Sequence, residues 1–212
     1  VAGNDLDLSA ILASRICHDL VGPVGAISNG LELLEDEDDA EMRAQALDLL
    51  NHSADQAARR LTFYRLAFGA SGGADMTVSL REARETTLRW LEGSRTSLAW
   101  GEDDLAADLA KPRLRLLLNL LLTAVEALPR GGEVGVSVAA DGGRVVLTAR
   151  GGTVTLEPPT AAALDGRVEA AALTPKQLPA YLAARLAATL GARLSQSADP
   201  ASLRLEASFT GA

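Results

Sequence analysis

Apolar residues in the first third of the chain recur at steps of three and four. Leu12, Ile16, Leu20, Val24, Ile27, Leu31 and Leu34 form one series; Leu47, Leu50, Ala54, Ala57, Leu61, Tyr64 and Phe68 form another. That period puts each series on one face of an amphipathic helix, and the second series follows a heptad-like seam. Asp7 or Ser9 can cap the first helix. Between the runs lies "EDEDDAE" (residues 35–41), whose charges repel one another and suit a solvated turn. The pattern predicts an antiparallel helical hairpin over residues 1–70. One hairpin covers its own stripe poorly, so two copies are expected to pair into a dimeric four-helix bundle. Cover by the rest of the chain is the alternative.

"GASGGAD" (residues 69–75) reads as a flexible linker, and the pattern then changes over residues 76–212. "SLREARETTLRWLE" predicts a helix and "SLAW" a strand. Residues 111–128 predict a buried helix with Pro112 near its start. "EVGVSVAA" and "RVVLTAR" alternate like strands and are joined by "DGG", a hairpin signal. "TPKQLPAYLAARLAATLGA" predicts another helix, closed by Gly191, and "LRLEASF" a last strand. The second half is therefore α+β, a layer of helices on a mixed sheet.

Composition narrows the classes. The 212 residues are 48% hydrophobic but only 3% aromatic, so the core must be built from Ala, Leu and Val. The net charge of −8, with no Lys/Arg run, argues against nucleic acid and against an anionic membrane surface. The greasy stretch at residues 114–128 carries Arg115, Asn119 and Glu126 and is too short and polar to span a bilayer. No signal-peptide pattern is visible. The single cysteine, Cys17, can form no intramolecular disulfide; it fits a reducing cytoplasmic compartment and the role of a small packed residue.

The candidate chemistry lies in "RICHDLVGPVGAI" (residues 15–27). At about 100° per residue, His18 projects roughly 160° from the centre of the apolar stripe, toward solvent. Ser14, Gly22, Gly25 and Asn29 share its side and leave room for a close approach. Pro23 lacks an N–H and disturbs the helix at the carbonyl of Asp19, one turn earlier. Such breakers cost stability, about 1 kcal/mol per Gly and about 3 for Pro, and call for a reason: a packing kink, or space at the histidine. A metal site is disfavoured because His52 is not level with His18, and a hydrolase lacks a serine elbow. A phosphoryl acceptor remains. A neutral imidazole is a good nucleophile, and Asp19 can hold its other nitrogen and offset the positive charge that forms on phosphorylation. Arg59 and Arg60 fall near the level of His18 on the second helix, as phosphate partners or as ordinary solvated arginines.

"HDLVGPVGAI" resembles the H-box of the dimerisation and phosphotransfer domain of sensor histidine kinases, with His18, Asp19, Pro23 and Ile27 as the matching residues. "NLLLTAVEALP" (residues 119–129) is similar to the kinase N-box. The resemblance implies that the second half has the ATP-binding α/β sandwich (Bergerat/GHKL-like) of such kinases. The departures matter as much. Thr123 stands where kinases carry a magnesium-binding asparagine, "ARGGTV" has Gly151 and Gly152 but no adenine-reading aspartate, and "TPKQLPAYL" replaces a glycine-rich lid.

Over essentially its full length the chain resembles the ChpT-type histidine phosphotransferases of alphaproteobacteria, through "ASRICHDLVGPVGAISNGLELLED" and "RLAFGASG". The resemblance implies a degenerate ATP-binding domain and a cytoplasmic homodimer without kinase activity. It implies His18 as phosphoacceptor and Asp19 as its orienting acid–base partner. Receiver domains would dock over Ser14, Arg15, Gly22, Gly25, Asn29, Arg59 and Arg60. The donor would be the receiver of a CckA-like hybrid kinase and the acceptors CtrA- and CpdR-like response regulators. No cofactor or metal of its own is expected, the magnesium coming with the receiver. The alternatives are a divergent active histidine kinase and a non-enzymatic scaffold or kinase inhibitor.

Overall fold

The computed structural model describes residues 2–36, 39–69, 77–105 and 108–209. Two long helices, α1 (Ala2–Asp36) and α2 (Ala40–Phe68), form the hairpin. Asp39 caps α2, its Oδ1 accepting from the N–H groups of Glu41 (2.8 Å) and Met42 (3.1 Å). Arg43 reaches back to the carbonyl of Leu34 (2.9 Å) and ties the two helix ends together. Gly30 lets the helices close: a Cβ there would meet Leu50 Cγ at 2.9 Å. Residues 37 and 38 of the acidic turn, and 70–75 of the linker, lie outside the described residues.

The single stripe expected on α1 divides into two edges. Pro23 and Gly30 are buried and Ile16, Ile27 and Leu34 half-buried, whereas Val24 and Leu31 are 51% and 52% exposed. In α2, Leu47 and Leu61 are left equally open. A stripe with steps of three and four is wider than one helix contact, and the hairpin seam uses only its edge near Pro23 and Gly30. Cys17 belongs to the other edge: it is exposed, not packed as its small size suggested. Residues Leu6–Glu35 are also long and apolar enough to cross a membrane by length and composition. Their Arg15 and Asp19, however, are paired with protein groups on α2 and on the sheet portion.

The rest of the chain runs β1 (Thr77–Ser79), α3 (Leu80–Leu91), β2 (Thr96–Trp100), β3 (Asp108–Ala110), α4 (Lys111–Glu126), β4 (Gly132–Val138), β5 (Arg144–Arg150), α5 (Pro158–Leu164), α6 (Leu178–Thr189), β6 (Ala192–Asp199) and β7 (Ser202–Phe209). The main sheet has the order β2-β4-β5-β7-β6; β2 and β4 are parallel, and the other neighbours antiparallel. β1 and β3 make a separate antiparallel pair. Alternation gives the sheet its inner face: Val134, Val136 and Val138 of β4 and Leu203, Leu205 and Ala207 of β7 are buried, with α4 packed against these strands. α4 is apolar almost all round and is the central helix; Leu114, Leu117, Leu118 and Leu121 have no accessible surface. Each such leucine contributes about 2 kcal/mol of burial.

The end of α2 belongs to this same core through Phe63, Tyr64, Ala67 and Phe68. Phe63 stacks on Trp90 of α3 with ring centroids 4.3 Å apart. Asn119 Nδ2 donates to the carbonyl of Ala67 (3.1 Å), and Arg115 Nη2 to that of Phe68 (3.3 Å). Four strands or helices had no clear pattern in the sequence: β1, β3, α5 and β6. The "TPKQ" segment, expected as helix, forms a 3-10 turn (Pro175–Gln177) instead. Gln177 Oε1 accepts from the Thr174 N–H (2.9 Å) to cap it, and α6 begins only at Leu178.

Candidate functional site

The site starts from a missing hydrogen-bond donor. α1 runs unbroken through Pro23, which has no N–H to give the carbonyl of Asp19 four residues back. Arg60 of α2 supplies the donor: its Nη1 bonds that carbonyl. The helix is continuous across the proline, and its freed acceptor becomes a tie to the neighbouring helix at the level of His18.

His18 is 82% exposed, while Asp19 beside it is 19% exposed. Asp19 Oδ1 lies 3.1 Å from His18 Nδ1. Its Oδ2 accepts from Arg15 Nε at 2.7 Å and from the Tyr64 hydroxyl. Arg15, itself 12% exposed, reaches on with Nη1 to Glu126 Oε1 at the end of α4 (2.6 Å) and to the carbonyl of Pro175 (3.3 Å). The result is a continuous chain of polar contacts from the imidazole, through Asp19 and Arg15, to Glu126.

The charges in this chain follow from burial and partners. Burial pushes the Asp19 carboxyl up, but Tyr64, Arg15 and His18 together outweigh it and hold it below the usual carboxylate range. Burial also works against the Arg15 charge, yet Glu126 and Asp19 override it and raise the guanidinium further. The Tyr64 hydroxyl is raised by burial and by its bond to Asp19. For Glu126 burial prevails, and its carboxyl is raised even with Arg15 against it. The asymmetry is physical, since Arg15 faces two carboxylates and Glu126 shares one guanidinium. An ionised Asp19 can only accept, so a neutral His18 ring carries its proton on Nδ1 and its lone pair on Nε2.

An open cleft of about 480 Å³ lies over His18 and Asp19, walled by Ser14 on one side and Thr174, Pro175 and Lys176 on the other. Lys176 stands half-exposed at its edge, Nζ 2.7 Å from Glu157 Oε1. Of the residues expected for docking, Ser14, Gly22, Gly25 and Asn29 are exposed as the helical projection placed them. Apart from the adjacent residues and the helix's own backbone, a Cβ on Gly22 or Gly25 would meet nothing within 4 Å. The three arginines of that expectation are all engaged within the chain, Arg60 with the Asp19 carbonyl as described above. Arg15 is an internal link. Arg59, 9% exposed, pairs with Asp55 (3.3 Å) and with Glu92 just after α3, away from His18. Tyr64, Glu126, Thr174, Pro175 and Lys176 were not foreseen. Tyr64 reads in the sequence only as a member of an apolar seam, and Glu126 only as part of a buried helix.

The kinase-like landmarks serve structure. Asn119 is fully buried, bonded to Ala67 and to the carbonyl of Arg115 (2.8 Å), and Thr123 Oγ1 donates to the carbonyl of Asn119 (2.9 Å). The cavity beside Thr123, Thr155 and Thr160 measures about 10 Å³, against roughly 300 Å³ or more for a ligand pocket. Gly151 sits in a bend, its N–H on the carbonyl of Ala201 (3.2 Å), where a Cβ would lie 2.9 Å from the carbonyl oxygen of Gly131. Among the described residues no group of three or more His, Cys, Asp or Glu is placed to hold a metal ion.

Comparison with known proteins converges on one family. Residues 80–202 match the family model described as the histidine phosphotransferase C-terminal domain. The protein phosphotransferase ChpT of Brucella abortus (strain 2308) is 39% identical over 155 residues, 72% of each chain. A solved bacterial phosphotransferase is 32% identical and superposes with a TM-score of 0.80, covering 95% of this chain and 96% of that one. The histidine kinase domain of the Erythrobacter litoralis EL346 blue-light activated kinase is 15% identical, with a TM-score of 0.47 over 88% of this chain and 95% of that one.

Proposed function

The chain belongs to the histidine phosphotransferase family and is a phosphotransferase; on that premise we propose that His18 is the relay point of an Asp-to-His-to-Asp phosphorelay. The observation that carries the reading is the pairing of an 82% exposed imidazole with a carboxylate held in place by Arg15 and Tyr64. The donor is the phosphorylated receiver of a CckA-like hybrid kinase. The acceptors are CtrA- and CpdR-like response regulators.

The lone pair on His18 Nε2 attacks the phosphorus of the receiver's aspartyl phosphate. The N–P bond forms as the P–O bond to the acyl oxygen breaks, and the receiver keeps its carboxylate. The ring becomes cationic with its Nδ1–H facing Asp19 Oδ1, which stabilises the charge or takes the proton. Transfer to the next receiver runs the same steps backwards. Such a transfer needs alignment and charge neutralisation more than covalent chemistry, and the magnesium that balances phosphate charge comes with the receiver. This chain needs to offer only a nucleophile in an open cleft.

ATP plays no part in this scheme; the 10 Å³ cavity and the inward Asn119 support that reading. The open apolar edges at Val24, Leu31, Leu47 and Leu61 support a homodimer through the hairpin, as a four-helix bundle; its place in this scheme is the cytoplasm. Residues 1–70 then serve dimerisation and phosphotransfer, and 76–212 serve as the degenerate ATP-binding-like domain.

The test is a phosphorylated receiver mixed with the protein and with His18→Ala. Label is expected on the wild-type chain and on a second receiver added later, and on neither with the variant. Transfer through His18→Ala overturns the proposal. Label on His18 from ATP alone overturns the part that excludes ATP.

A further inference from the structure

The second half of the chain contributes one carboxylate to the surroundings of the reactive histidine, and it does so without touching it. Glu126 ends α4, the helix that resembles a kinase N-box, and its Oε1 meets Arg15 Nη1 at 2.6 Å. Arg15 lies along α1 one turn before Asp19, and its Nε meets Asp19 Oδ2 at 2.7 Å. A guanidinium is planar, so fixing one edge of it orients the other. The carbonyl of Pro175 accepts from the same Nη1 at a longer 3.3 Å. Tyr64, rooted in the shared core and stacked on Phe68 (5.4 Å), holds the same Oδ2 from α2. Asp19 is thus gripped on one oxygen from two sides, and only its other oxygen is left for His18 Nδ1.

We infer that Glu126 and Tyr64 are positioning residues for His18, acting through Asp19. Neither reaches the imidazole. Together they leave Asp19 one rotamer, the one that keeps the ring proton on Nδ1 and the lone pair on Nε2 facing out. The inference rests on His18 being the phosphorylated residue. It gives the end of α4 a role in the first half of the chain, as a strut under the histidine's partner.

The test separates positioning from docking by using a small phosphodonor that needs no docking surface. Phosphoramidate loads a histidine directly, ammonia leaving as the Nε2–P bond forms. Glu126→Gln and Tyr64→Phe are each expected to slow loading of His18 roughly ten-fold, with Glu126→Asp restoring part of the rate. In ¹⁵N spectra of the imidazoles, the signals of His18 should shift toward the Nε2–H tautomer in both variants, while those of His52 stay in place. Breaking a buried ion pair can weaken the fold, so Tyr64→Phe, which removes a single hydroxyl and keeps the ring, carries the test where Glu126→Gln melts early. Loading within two-fold of wild type, with the His18 signals unmoved in Tyr64→Phe, overturns the inference whatever receivers do. Failure of receivers to load wild-type protein that phosphoramidate does load overturns the relay reading and leaves the positioning inference intact.

Discussion

Arg60 donates to the main-chain oxygen of Asp19, the acceptor that Pro23 leaves without its helical N–H. The proline is therefore part of a device. It opens one carbonyl on the inner side of α1, beside His18, and the neighbouring helix fills it.

That relationship predicts a coupling. Arg60→Met orphans a half-buried acceptor and should cost about 1–3 kcal/mol in urea unfolding. Pro23→Ala returns an N–H to the helix, so in that background Arg60→Met should cost less, by about 1 kcal/mol. Equal costs in both backgrounds would show that Arg60 does not compensate for the proline.

The depressed Asp19 carboxyl predicts a pH signature. A carboxyl lowered in the folded state contributes stability that is present above its unfolded value of about 3.9 and is lost as pH falls through the folded value. Asp19→Asn should therefore be less stable than wild type at neutral pH. The gap should close as pH drops below about 4, measured by thermal unfolding across a pH series. A gap that stays constant from neutral to acid would rule out Asp19 as its source.

The open edges of the hairpin predict an assembly. Wild-type protein should scatter light as twice its 22.0 kDa chain mass, and Val24→Glu with Leu31→Glu should scatter as a single chain. Cys17, exposed on the same edge, then reports on it: a maleimide should label it slowly in wild type and rapidly in the charged variant. A monomeric wild type at micromolar concentration would refute the four-helix bundle.

The glycines beside His18 predict opposite effects on stability and on transfer. With nothing outside its own stretch of helix within 4 Å of the Gly25 Cβ position, Gly25→Ala should stabilise the helix by about 0.5–1 kcal/mol, whereas a Cβ at Gly22 meets the ring of the following Pro23 and Gly22→Ala should not. Gly25→Trp should sharply slow loading by a phosphorylated receiver yet leave loading by phosphoramidate unchanged. Normal receiver transfer through Gly25→Trp would show that this ridge is not the docking face.

Periodicity made α1, α2, α4 and the β4–β5 hairpin readable in the sequence, because each buries a face whose spacing repeats. β6 was not readable: it is an edge strand whose residues, apart from Leu194, are small or polar, and its pairing comes from β7. α5 begins with two prolines, which suit a helix start but equally a loop. At the site, His18 and Asp19 were legible as neighbours on a helix. Tyr64 and Glu126 were not, since both read as core positions and their contacts join elements distant in sequence. Arg59 and Arg60 show the limit sharply. Two adjacent arginines sit at the right level, and a rotation of about 100° between them sends one to Asp19 and the other to Glu92.

The end of α2 shares one core with the sheet, and Arg15 pins the start of the hairpin to the end of α4. The hairpin is thus tied to the sheet portion at two points along it, by apolar packing at one and by an ion pair at the other. In the proposed relay the message is chemical, a phosphoryl group held or not held by His18. Such a histidine would work as a depot, whose filling follows the supply and demand of its visitors, so that traffic through it would reverse as soon as the donor is emptied.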